Sequence, residues 1–166
     1  VEEYKKVYKK IRTDLSGEYG EIVGYLWPVE CPKKDCFDLN MHRNMRYAGE
    51  LFRNWTNLFL NARNTVDIIG HGMGLGVGYV ALQGIQPFHI RNVFALGPAI
   101  LTTWFHKEKM RHMILSNADQ FYLFHSLDDP ILQCGFQMRT GKKTLGYSGA
   151  PDREQFLEKF TRVSIV

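Results

Sequence analysis

The chain has 166 residues, 45% of them hydrophobic and 13% aromatic, which suits one globular domain with a proper core and argues against disorder. Its formal charge of +4 is scattered over Lys5-Lys6, Lys9-Lys10, Lys33-Lys34 and Lys142-Lys143 instead of forming one stripe, so nucleic-acid binding is not favoured. No run approaches the roughly 18 consecutive apolar residues of a membrane span, and no basic-then-apolar leader opens the chain.

Tyr4, Val7, Tyr8, Ile11 and Leu15 recur at helical spacing among lysines and glutamates, predicting an amphipathic helix over residues 1–16. Ser16-Gly17-Glu18-Tyr19-Gly20 breaks it. The short apolar run from Ile22 to Trp27, closed by Pro28, predicts a buried strand. A polar loop through Cys36 follows. Cys31 and Cys36, with His42 close by, have a spacing that invites a zinc reading, but no second paired-cysteine half-site exists and a plain loop with two thiols is preferred. With Cys134 the cysteines number three, so no disulfide framework is expected.

Met41, Met45, Ala48, Leu51, Phe52, Trp55 and Leu58 share one face of a long helix from about Asn40 to Asn61. Val66 to Ile69 reads as a strand and the residues up to about Gln83 as a helix. A further strand begins at Asn92 and ends in the Gly97-Pro98 loop. Trp104 to Ser116 reads as helical or irregular, Gln120 to Ser126 as a strand, and Gly135 to Gly149 as a glycine-rich basic loop. Asp152 to Phe160 reads as a helix and Arg162 to Val166 as a last strand. Helix and strand alternate throughout, which predicts an α/β fold: a mostly parallel sheet with helices on both faces.

The chemistry concentrates at Gly70-His71-Gly72-Met73-Gly74, where an apolar strand enters a glycine-spaced turn and then a helix. Gly70, Gly72, Gly74, Gly76 and Gly78 alternate strictly, so no register gives the dinucleotide pattern G-x-G-x-x-G, and a Walker lysine is absent; no cofactor is expected. An anion at the helix N-terminus after Gly72, or at the loop Arg139-Thr140-Gly141-Lys142-Lys143, is a third-ranked reading, and a solvated turn explains that loop more simply.

The pentapeptide resembles the G-H-S-M-G nucleophile elbow of lipases, esterases and related members of the alpha/beta-hydrolase superfamily, with Gly72 at the position of the serine. Leu26-Trp27-Pro28-Val29 is similar to a W-P-S segment of one esterase-like branch, with Val29 in place of the serine. Leu96-Gly97-Pro98-Ala99 resembles the loop after the strand that follows the elbow. Ser126-Leu127-Asp128-Asp129-Pro130 resembles the turn that carries the triad acid.

By this resemblance Asp129 matches the acid, with Asp128 as the alternative; the competing reading is that either aspartate only caps the following turn. The matching histidine belongs after the last strand, yet none occurs beyond His125. His71 matches a packed neighbour and not the general base, while His42, His89, His106, His112 and His125 read as surface or core histidines. The strand carrying the oxyanion loop would precede the first helix. Starting at Val1, the chain reads as a processed or excised piece: a single alpha/beta-hydrolase-like domain over 1–166 that lacks the N-terminal strands and the C-terminal histidine segment.

Glycine tolerates the strained turn and supplies no nucleophile. Losing nucleophile or base costs a working triad on the order of a million-fold in rate. The leading expectation is therefore a non-catalytic alpha/beta-hydrolase-like domain, a structural or accessory part of something larger, completed by a further polypeptide segment or subunit. The alternative is a lipase- or esterase-like serine hydrolase whose nucleophile has been substituted by Gly72. The resemblance implies a lipid or ester as the ligand class. The chain is expected to be soluble, with an intracellular setting preferred.

Overall fold

The computed structural model describes residues 2–27, 39–83, 87–103, 118–137, 141–150 and 163–165. Four parallel strands, β1 (Thr65–His71), β2 (His89–Leu96), β3 (Ala118–Phe124) and β4 (Val163–Ile165), lie side by side in sequence order. Helix α1 (Glu2–Asp14) and helix α2 (Leu39–Phe59) precede β1, and α3 (Gly74–Ala81) joins β1 to β2. Parallel neighbours need such crossovers, so the alternation read in the sequence and the parallel sheet are one fact. A π-helix (Ile131–Gln137) and the four-residue α4 (Leu145–Ser148) follow β3.

The sheet's two faces are chemically different. Val66, Ile68, Ile90, Val93, Ala95, Ala118, Phe121 and Leu123 join Leu75 and Leu82 of the α3 segment in the main core. The residues alternating with them, including Asp67, Ile69, Asn92, Phe94 and Tyr122, point to the other face, as strand geometry requires. There Ile69 is 46% exposed, and Phe94 and Tyr122 stack at 4.8 Å between ring centroids.

Helix α2 packs on α3 through small residues. A Cβ at Gly49 would overlap Val80, and one at Gly76 would overlap Met45 Sδ, so the two helices meet almost backbone to backbone. Arg53 of α2 donates to the carbonyls of Val80 and Ala81 (Nε to Ala81 O 3.1 Å), a cationic cap on the C-terminus of α3. Met45, Ala48, Met73, Val77, Ala99, Leu101, Leu132 and Phe136 form a second cluster beyond the C-terminal ends of the strands.

Two predicted elements are corrected. Ile22 to Trp27 forms no strand: it has no ladder partner among the described residues, and an apolar run without a neighbour to exchange hydrogen bonds with is not a sheet element. It is held by side chains instead, with Tyr8 Oη donating to Ile22 O at 2.8 Å and Tyr25 Oη to Ala48 O at 2.8 Å. The loop predicted from Gly135 to Gly149 contains the end of the π-helix and all of α4, the latter closed at Gly149 with φ +73°. Short helical turns of three or four residues are too brief for periodicity to reveal.

The Ile22 to Trp27 segment is placed tellingly. Tyr19 bonds to Asp67, the third residue of β1, and Trp27 packs on the cluster containing Met73 and Ala99, just past the end of β1. No ladder joins the segment to β1 among the described residues. The Cys31 and Cys36 loop, Pro28 and Val29, Trp104 to Ser116, Arg139 and Thr140, and the helix predicted for Asp152 to Phe160 lie outside the described residues.

Candidate functional site

The turn after β1 is built by three glycines with different duties. Gly70 is buried under α3, and a Cβ there would stand 2.9 Å from Leu75 Cα, so close strand–helix approach requires glycine. Gly72 takes φ +56°, the left-handed region that favours glycine, and nothing lies within 4 Å of where its Cβ would be. Gly74 also faces open space and has no positive φ, so the close approach of strand and helix runs through Gly70. The turn is anchored by Gly72 N–H donating to Leu96 O and Ala99 N–H donating to Gly72 O, both at 3.1 Å. His71 is exposed at the end of β1, and Met73 is 7% exposed in the second cluster.

Because the strands are parallel, the loops after β1, β2 and β3 gather at one edge of the sheet. Gly97, with φ +49°, follows β2, and its N–H donates to Phe124 O at 3.0 Å. A Cβ on Gly97 would sit 3.7 Å from Asp129 Oδ2. Asp129 thus lies at the same edge as Gly72. Its Oδ1 accepts from the N–H groups of Ile131 and Leu132, both at 2.9 Å, which caps the π-helix. The neighbouring Asp128 N–H donates to Ser126 Oγ at 3.1 Å.

His125, the residue after β3, was ranked with the surface or core histidines by sequence, yet it reaches the same edge. It is half-buried, its Nδ1 has no partner among the described residues, and its Nε2 lies 3.0 Å from the Cβ position of Gly149. Among the described residues no hydrogen bond links it to Asp128 or Asp129. The only hint in the sequence was its place at the end of a predicted strand. The edge therefore assembles Gly72 in a left-handed turn, an aspartate occupied in capping and a histidine with no hydrogen bond to either among the described residues.

The most buried charge of the described ion pairs lies elsewhere. Asp67 is 5% exposed and faces the sheet surface opposite α3. Its Oδ1 accepts from Arg91 Nε at 3.1 Å and from Asn92 N–H and Nδ2 at 3.0 Å each, while Oδ2 accepts from Arg91 Nη2 at 2.6 Å and from Tyr19 Oη. A register shift makes this possible: Val66 pairs with Ile90 but Asp67 with Asn92, so the bulge brings both Arg91 and Asn92 to one carboxylate. Burial pushes the Asp67 carboxyl up, but its bonds from Arg91, Tyr19 and Asn92 outweigh that and hold it below the ordinary value. The bond to Asp67 raises the Tyr19 phenol.

Among the described residues, no group of three histidine, cysteine, aspartate or glutamate side chains could hold a metal, and no helix is long and apolar enough to cross a membrane. Comparison with protein families, curated proteins and solved structures gives no match.

Proposed function

We propose that this chain is a non-catalytic, alpha/beta-hydrolase-like domain that serves as a structural or accessory part of a larger assembly. The observation that carries the reading is Gly72: a left-handed turn between β1 and α3 with open space for a side chain and no side chain to fill it. The resemblance of Gly70-His71-Gly72-Met73-Gly74 to an elbow supplies the family, and the unlinked Asp129 and His125 support the absence of chemistry. The chain should take no label from a serine-directed fluorophosphonate at position 72 and should not hydrolyse a p-nitrophenyl ester. Turnover by the unaltered chain would overturn the proposal.

The accessory role rests on the sheet edge. Among the described residues no strand pairs with β1 on the side away from β2, and the Ile22 to Trp27 segment joins no ladder. Val23 and Leu26 in that segment are 53% and 56% exposed, and Ile69 of β1 is 46% exposed. A β-strand from a further segment or subunit would satisfy the open backbone groups on both sides and cover these side chains.

The alternative, a lipase- or esterase-like hydrolase with a substituted nucleophile, is favoured by one observation: nothing lies within 4 Å of where a Cβ at Gly72 would stand. Gly72→Ser discriminates between the readings. Under the accessory reading it gives no hydrolysis, because no described histidine is bonded to Asp129, the candidate acid; substantial turnover would return the chain to the enzymes.

A further inference from the structure

We infer that Asn54 is the acceptor of an N-linked oligosaccharide, carried at the centre of the exposed face of α2. Asn54-Trp55-Thr56 is the one N-x-[ST] triplet among the 166 residues, and its middle residue is not proline. That spacing of amide and hydroxyl is what the glycan-transferring enzyme reads. Transfer forms a bond from Asn54 Nδ2 to C1 of the first N-acetylglucosamine and breaks the bond from that carbon to the diphosphate of a polyisoprenyl-linked oligosaccharide donor. The lipid diphosphate leaves, and one amide proton passes to solvent.

The triplet falls where a sugar suits the surface. Asn54 is exposed, and Tyr47, Leu51 and Leu58, at i−7, i−3 and i+4 on the same helix face, are 64, 45 and 79% exposed. Helix α2 thus carries two apolar stripes. Met45, Ala48 and Phe52 pack in the second cluster, while the stripe through Asn54 faces solvent. A protein helix packed on that outer stripe would desolvate the amide at its centre without a partner. A sugar joined to the amide instead covers Leu51 and Leu58 with its ring and keeps its hydroxyls in water. Thr56 is 4% exposed and its Oγ1 donates to Arg53 O at 2.9 Å, so the hydroxyl is out of reach once α2 has packed, and transfer precedes the folding of this helix. The inference sets the chain in the lumen where glycans are transferred, in place of the intracellular setting preferred from sequence.

Trypsin cuts after Arg53 and Arg63, so the test is mass spectrometry of the peptide from Asn54 to Arg63 in protein isolated from the cells that naturally make it. The peptide is expected to be missing at its unmodified mass and to be recovered, with Asn54 converted to Asp, after peptide-N-glycosidase treatment. Recovery of the bare peptide without the glycosidase would overturn the inference, as would a glycan elsewhere with Asn54 unmodified. When the chain is produced through the secretory pathway of insect cells, the unaltered protein and Thr56→Ser, which keeps the triplet, should both lose apparent mass on glycosidase treatment. Asn54→Gln, a change at an exposed position, should show no such loss. A mass loss retained in Asn54→Gln, or absent from the unaltered chain, would equally overturn the assignment.

Discussion

Asp67 and Arg91 form a two-pronged ion pair, Nε to Oδ1 and Nη2 to Oδ2 at 3.1 and 2.6 Å, that exists because β2 slips by one residue opposite the Val66/Asp67 step. The carboxylate is nearly buried while the guanidinium is half-exposed, so the cost of desolvation falls mainly on Asp67 and is met by its five donors.

This pair makes stability pH-dependent in a known direction. The folded-state pKa of Asp67 is depressed, so its contribution is present above the unfolded value of about 3.9 and is lost as pH falls through the folded value below it. Asp67→Asn should lower stability near neutral pH by about 1–3 kcal/mol and flatten the acid limb. Urea denaturation at pH 7 and at pH 3 measures both. An unchanged acid limb in Asp67→Asn would remove the pair from the account.

The glycines of the turn should separate cleanly. Gly70→Ala forces a Cβ against the backbone of Leu75 and is expected to cost about 1–3 kcal/mol. Gly72→Ala meets no atoms but keeps φ +56°, a strain of about 1–2 kcal/mol. Gly74→Ala has neither problem and should stabilise by about 0.4–1 kcal/mol. Thermal melts of the three variants read the order directly, and a destabilised Gly74→Ala would contradict it.

Thr144 is fully buried and its Oγ1 has no partner among the described residues. Replacing it with valine keeps the shape and removes an unsatisfied oxygen, so Thr144→Val should hold or raise stability by about 1 kcal/mol. A loss of 2 kcal/mol or more on denaturation would mean that the hydroxyl is hydrogen-bonded in solution.

In the main core Leu123 is completely buried on the central strand β3. Leu123→Ala should cost about 2–5 kcal/mol, the transfer and cavity terms together. Leu58→Ala on α2, at 79% exposure, should change stability by no more than about 0.5 kcal/mol. Comparable losses in the two would contradict this division between core and surface.

Local pattern determined much of this protein. The α2 stripe and the apolar runs of β1, β2 and β3 were legible because one-sided burial imposes its period on the sequence, and a positive φ at Gly72 followed from a glycine between strand and helix. Pairing was decided only in three dimensions. The Ile22 to Trp27 run has the composition of a strand, but strand identity depends on a neighbour, and no neighbour pairs with it among the described residues. The tie of Tyr19 to Asp67 crosses 48 positions of sequence, and the bulge that delivers Arg91 arises from register between strands, so neither leaves a local mark. Asp129 shows the division most plainly: its identity and turn were readable, whereas its use as a cap, with His125 unbonded to it at the same edge, depends on how separate loops meet above a parallel sheet.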